Sequence, residues 1–81
     1  MIKATIFDRN EAAYLLAVGL TGEPVPRMPR TLDFMFEANE QLFEARQAYS
    51  VNTPVPVLSF IEASRQIGAM IVNYRNRGEL I

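Results

Sequence analysis

Apolar and polar positions alternate from the start of the chain. Ile2, Ala4 and Ile6 fall on one side, and Lys3, Thr5 and Phe7 on the other, which predicts a strand over residues 2–7. Asp8 follows where a helix N-cap belongs, and Glu11 stands three residues on, the spacing of a reciprocal capping box. The helix predicted from there covers Arg9–Val18. Gly19 is placed to end it in the left-handed conformation, with Leu20 as the apolar contact beyond the stop. The run from Ala12 to Val18 is apolar on every side, so this helix is expected to be buried almost all round, at the centre of the core.

The segment 21–30 contains Gly22, Pro24, Pro26 and Pro29. Proline has no N–H to give to a ladder, which excludes a central strand and leaves either a loop or a ragged edge strand over residues 23–28. Thr31–Glu37 is the clearest strand: Leu32, Phe34 and Phe36 share one face, Asp33, Met35 and Glu37 the other. A second helix, Glu40–Tyr49, is opened by Ala38 or Asn39. Leu42, Phe43, Ala45 and Tyr49 are expected inward, with Glu40, Glu44 and Gln47 outward. After a second punctuated linker with Asn52, Pro54 and Pro56, the longest helix is predicted over Val57–Arg75. Its apolar stripe comprises Val57, Phe60, Ile61, Ser64, Ile67, Gly68, Ile71 and Tyr74, widened by Ala63, Met70 and Val72. A surface helix needs an apolar arc of about 100°. This one is wider, so it is expected to be covered from two directions, by its own domain and by a partner. The pattern as a whole predicts an α+β fold: a small antiparallel sheet of two or three strands packed against three helices, the last of them long.

With 81 residues the chain makes a single domain, 1–81, and a domain this small buries only about 60% of its unfolded surface. Cysteine and histidine are both absent, which removes disulfides and the usual ligands of zinc, haem and iron–sulfur clusters, and no cofactor is expected. Apolar residues make up 49% of the chain, so burial against a second copy or another protein is the expected supplement. Eight Lys and Arg against nine Asp and Glu give a net charge of −1, which counts against a general duplex binder but not against a local basic patch. The uncharged stretch from Ala12 to Gly22 is shorter than the about 20 residues of a bilayer span, and residues 1–8 lack a signal-peptide pattern. No membrane association and a cytoplasmic location are therefore expected.

Phe7, the run Ala12-Ala13-Tyr14-Leu15-Leu16-Ala17 with Gly19, then Phe34-Met35-Phe36-Glu37, then Tyr49, Phe60 and Arg65 fall in an order that resembles a family of short bacterial and phage domains classed as a domain of unknown function. The likeness runs from about residue 5 to residue 75. It implies the layout strand, AAYLLAxG helix, FxF strand and two helices, and a bacterial or phage origin. The proline-rich segment 21–30 stands where that family has a more regular hairpin. No activity is assigned to the family, so the resemblance implies no catalytic residue.

There is no histidine to titrate near neutral pH and no thiol to serve as nucleophile. Asp33 and Glu37 share a strand face, but about 13 Å apart at the usual rise, too far to share a proton. Glu40 and Glu44 suit a solvated helix face. None of Gly19, Gly22, Gly68 and Gly78 forms a phosphate-cradling loop. An enzyme is not expected. Two binding surfaces remain. Ser64 and Gly68, small residues on the long helix, with Ile71 and Val72 beside them, are the candidate partner interface, most simply for a homodimer. Arg65, Arg75 and Arg77, set among Asn73, Tyr74 and Asn76, are the candidate nucleic-acid contacts, and their alternative role is to favour the negative end of the helix dipole. Arg27 and Arg30 could extend that patch. The proline-stiffened segment from Glu23 to Arg30, with Val25 and Met28, could dock as an extended ligand, though a structural role is the simpler reading. The expected function is thus a non-catalytic interaction or adaptor domain that self-associates; the alternative is a small nucleic-acid-binding accessory protein. On the close-approach argument, Gly68→Leu should disrupt packing or dimerisation and Gln66→Ala should do little.

Overall fold

The computed structural model describes residues 2–27 and 31–77. It is an α+β domain whose elements run β1 (Lys3–Ile6), α1 (Arg9–Ala17), β2 (Gly22–Arg27), β3 (Thr31–Glu37), α2 (Glu40–Ser50) and α3 (Val57–Asn76). The three strands form an antiparallel sheet in the order β1-β3-β2. The best-patterned strand is thus the central one. Its Leu32, Phe34 and Phe36 join Ile6 of β1 in one core with all three helices, so the helices form a single layer on one face of the sheet. The long axes of 35 and 30 Å against a thickness of 17 Å match two layers.

The proline segment is resolved as an edge strand, β2, and the hydrogen-bond phase explains why proline is tolerated there. The Ala38 N–H donates to the Ile2 carbonyl at 2.9 Å, and Ile2 lies directly opposite Ala38 in the β1–β3 register. Hydrogen-bonded pairs recur every second residue in an antiparallel ladder, so Ala4·Phe36 and Ile6·Phe34 are bonded pairs. The backbone groups of Phe34 and Phe36 therefore point towards β1, and those of Asp33 and Met35 towards β2. Pro24 pairs with Phe34 and Pro26 with Leu32, so both prolines occupy positions whose N–H would have pointed away from the sheet. The ladder loses nothing, and the outer edge of β2 loses the donors of positions 24 and 26.

The first two helices are capped as their sequence suggests, with one difference, while α3 starts after Pro56 with no side-chain cap. Asp8 Oδ1 accepts from the Asn10 and Glu11 amides at 2.8 and 3.4 Å. The Glu11 carboxylate does not return to the cap; it accepts from Arg46 Nε of α2 at 2.8 Å. The sequence half of the box is thus diverted into a tertiary contact. Asn39 caps α2 through the Leu42 amide at 2.9 Å, and Gly19 ends α1 at φ +98°, where a side chain would be strained.

Ala12, Ala13, Tyr14 and Leu15 of α1 are buried, as expected of a helix apolar all round. α1 runs antiparallel to α3: Leu16 and Ala17 share a groove with Leu58, Ser59 and Ala63, while Arg9 lies beside Gly68. On its other side α1 meets α2, where the Tyr14 and Tyr49 rings stand 5.4 Å apart. Burial raises the Tyr49 hydroxyl above its ordinary value, helped by the charges of Asp8 and Glu11 and by its hydrogen bond to Asp8. Phe43 on α2, expected inward, faces solvent instead, and of the wide α3 stripe Val57 and Ile61 are exposed. Periodicity marked them as apolar, but the helices that would have covered them sit on the neighbouring arc. The inward face of α3 is Phe60, Ala63, Ile67, Met70 and Tyr74, spaced alternately by three and four, with Ile71 beside them.

Candidate interaction surface

α3 presents two apolar arcs, and only one of them meets the core. On a helical projection of 3.6 residues per turn, Val57, Leu58, Ile61, Arg65, Gly68, Val72 and Arg75 fall within about 100° of one another, beside the buried arc. Leu58 and Val57 are 80% and 71% exposed, and Ile61 and Val72 are exposed as well. No acidic residue lies within this arc; Glu62 sits just outside it.

The residues singled out from sequence divide across these arcs. Val72 faces outward at the middle of the exposed arc. Ile71 packs against the core, half-buried, and belongs to the fold. Ser64 and Gly68 lie half-buried on the border between the two. Arg65 and Arg75 are exposed on the outward arc and make no ion pair among the described residues. Arg77 closes the helix, its guanidinium 4.5 Å above the Tyr74 ring. Val72, Arg65 and Arg75, read as separate candidates, therefore occupy one face with Gly68 at its border, while Ile71 and Arg77 do not belong to it. Arg27 stands far from it in function, bound to Asp33 on the opposite side of the sheet; Met28, Pro29 and Arg30 lie outside the described residues.

Two members of this face escaped the sequence reading. Arg9 opens α1, yet the antiparallel packing brings its Nη2 to 3.8 Å from the place a Cβ on Gly68 would occupy. It too makes no ion pair among the described residues, so its charge joins those of Arg65 and Arg75. Leu58 was passed over although 58, 61, 65, 68, 72 and 75 repeat by three and four, a second stripe parallel to the buried one.

Gly68 is not required by contact with its own chain. An added Cβ would meet only the mobile end of Arg9, at an ordinary contact distance, so the loss of internal packing expected of a larger residue is not demanded by the fold. Glycine within an exposed helix costs about 1 kcal/mol relative to alanine. Gly68→Ala is accordingly expected to stabilise the isolated domain by about 0.5–1 kcal/mol in urea unfolding; a loss of stability there would show an intramolecular packing role.

Carboxylates are dispersed elsewhere. Five surface clefts among the described residues are lined by at most one acidic side chain each, and those residues contain no group of acidic side chains that could hold a metal ion. No helix among them is long and apolar enough to cross a membrane. Compared with known proteins, the chain matches no family model, no curated protein and no solved structure.

Proposed function

We propose that this chain is a non-catalytic interaction domain whose outward α3 face docks onto another protein, at a surface that sets carboxylates among apolar residues. The observation that carries this reading is the exposed arc itself: Val57, Leu58, Ile61 and Val72 flanked by Arg9, Arg65 and Arg75, with no acid between them. Apolar side chains left in water favour a covering partner, and arginine is enriched where proteins meet. Three cations on a two-fold self-contact would face three more, which weighs against the α3 homodimer and favours a partner of opposite charge.

The same arginines support a second reading, phosphate contact with nucleic acid, because Arg9 makes the basic cluster larger than its sequence neighbours suggest. Fluorescence anisotropy separates the two. A labelled amphipathic helix of leucine and glutamate is expected to bind, and Ile61→Ser with Val72→Ser should weaken it tenfold or more, as should Arg65→Glu. Binding of a labelled oligonucleotide that falls steeply with salt, is lost in Arg65→Glu and is indifferent to Ile61→Ser would establish the nucleic-acid reading instead.

A further inference from the structure

The sheet has two edges, and they are finished differently. Along β2 the outward donors of Pro24 and Pro26 are missing, as the ladder phase shows. Along β1 the phase leaves the N–H and C=O of Lys3 and Thr5 pointing away from β3, and no hydrogen bond among the described residues takes them up. An open strand edge is a template for another strand. We propose that β1 pairs antiparallel with β1 of a second copy of this chain, joining two three-stranded sheets into one continuous sheet. This contact is independent of the α3 face.

A two-fold axis restricts the possible registers. With the helices of both copies on the same side, directly opposed residues must belong to the same face, and every bonded pair must join residues with outward backbone groups. The axis can pass through a bonded pair at Lys3, Thr5 or Phe7, or through a non-bonded pair at Ala4 or Ile6. An axis at Ala4 opposes Lys3 to Thr5 for only about four bonds, and one at Ile6 sets Lys3 level with Arg9 in the other copy's α1. An axis at Lys3 sets two ammonium groups against each other and leaves few paired residues. An axis at Phe7 runs each strand into the other copy's α1, which starts at Arg9. Centring on Thr5 remains. It opposes Thr5 to Thr5 of the second copy and Lys3 to Phe7 of the second copy, for about six backbone hydrogen bonds. Phe7 is 65% exposed, and the pairing gives its ring a covering lysine stem and ammonium. Lys3 has only a long contact of 3.8 Å to Glu23, exposed to solvent, to give up. Ala4 falls opposite Ile6 of the second copy on the helix-covered side, which extends the apolar layer without placing a charge in it.

A contact of one short strand is small, so association is expected in the micromolar range or weaker, and the solution mass must be followed up to millimolar concentration. Light scattering should show wild type and Thr5→Val approaching a dimer, while Thr5→Pro stays a monomer. The Thr5 N–H serves no bond among the described residues, so Thr5→Pro should keep its melting temperature, as β2 keeps its prolines. Should Thr5→Pro fold poorly, cysteine placement decides independently, because the chain has no other thiol. Residues opposed in a bonded pair have Cα atoms about 5.5 Å apart, within disulfide reach, so Thr5→Cys should give a covalent dimer on mild oxidation and Val72→Cys should not. A monomeric wild type at millimolar concentration overturns the proposal, and so does a Thr5→Pro dimer or cross-linking through Val72→Cys alone.

Discussion

Gly22→Ala is expected to destabilise the domain by about 2–4 kcal/mol, more than any other single methyl group added to this chain. Gly22 opens β2 opposite Phe36, on the face covered by the helices. A Cβ built there would lie 2.5 Å from Phe36 Cζ and 2.7 and 2.9 Å from its two Cε atoms. The glycine is empty on that side so that the ring can lie across it. Phe36 has no room to retreat: it is 1% exposed, on the central strand, in one cluster with Leu15, Ile6 and Ile67. Overpacking a close-packed interior costs about 1–3 kcal/mol, and here the obstacle is a rigid ring rather than a flexible side-chain end. A domain of this size is stable by only about 4–12 kcal/mol, so the loss is a large share of the total. Thermal unfolding followed by circular dichroism should show a fall of ten degrees or more, since about 1 kcal/mol shifts a domain this small by roughly 4–8 °C. A melting temperature within two degrees of wild type would show that Phe36 slides aside and that the glycine is there for the turn before it. Gly19→Ala provides the contrast: its Cβ meets nothing within 4 Å, and the cost comes only from φ +98°, about 1 kcal/mol.

How far the molecule can be read from its sequence follows from which signals are local. The buried run Ala12–Leu15, the Asp8 and Asn39 caps, the Gly19 stop and the alternation of Leu32, Phe34 and Phe36 each depend on near neighbours, and each appears where its pattern places it, although the burial expected to extend to Val18 stops short and Val18 is exposed. β2 could not be fixed that way. Whether proline fits a strand depends on whether its missing N–H faces the ladder, and that phase is set by β3 and β1. The outward turn of Ile61 and Val57 has the same origin: a wide stripe announces apolar residues but not which arc a neighbouring helix will cover. Arg9 is the clearest case. In sequence it is the first residue of a helix; only the antiparallel packing of α1 on α3 sets it beside Gly68 and makes it part of the proposed site. Gly22 likewise reads as punctuation until its cross-strand partner is known.

The face of the sheet away from the helices supplies the second large effect. Asp33 is 4% exposed there, a carboxylate at the middle of the central strand. Its Oδ2 accepts from Arg27 Nε at 2.6 Å, and its Oδ1 has no hydrogen-bond partner. The Arg27 guanidinium reaches from one edge strand over Asp33 to the other side, 5.4 Å from the centre of the Phe7 ring. One cation thus holds a buried anion, covers it and bridges both edges. Arg27→Met keeps an unbranched apolar stem over the site and removes only the charge. The carboxylate then stays buried without its counter-ion, a state that costs about 3–5 kcal/mol where both partners are fully enclosed. Arg27 is half exposed, and water can reach part of the gap, so about 2–3 kcal/mol is the expected loss. Removing both charges should behave oppositely. Arg27→Met with Asp33→Val places a strand-favouring side chain where the orphaned oxygen was, and a well-packed apolar pair commonly equals or exceeds a buried ion pair in stability. The double variant is therefore expected to recover wild-type stability or pass it, giving a coupling of about 2 kcal/mol or more in a double-mutant cycle. Additive losses in urea unfolding would mean that the two residues act separately, and that Asp33 is held by something other than Arg27.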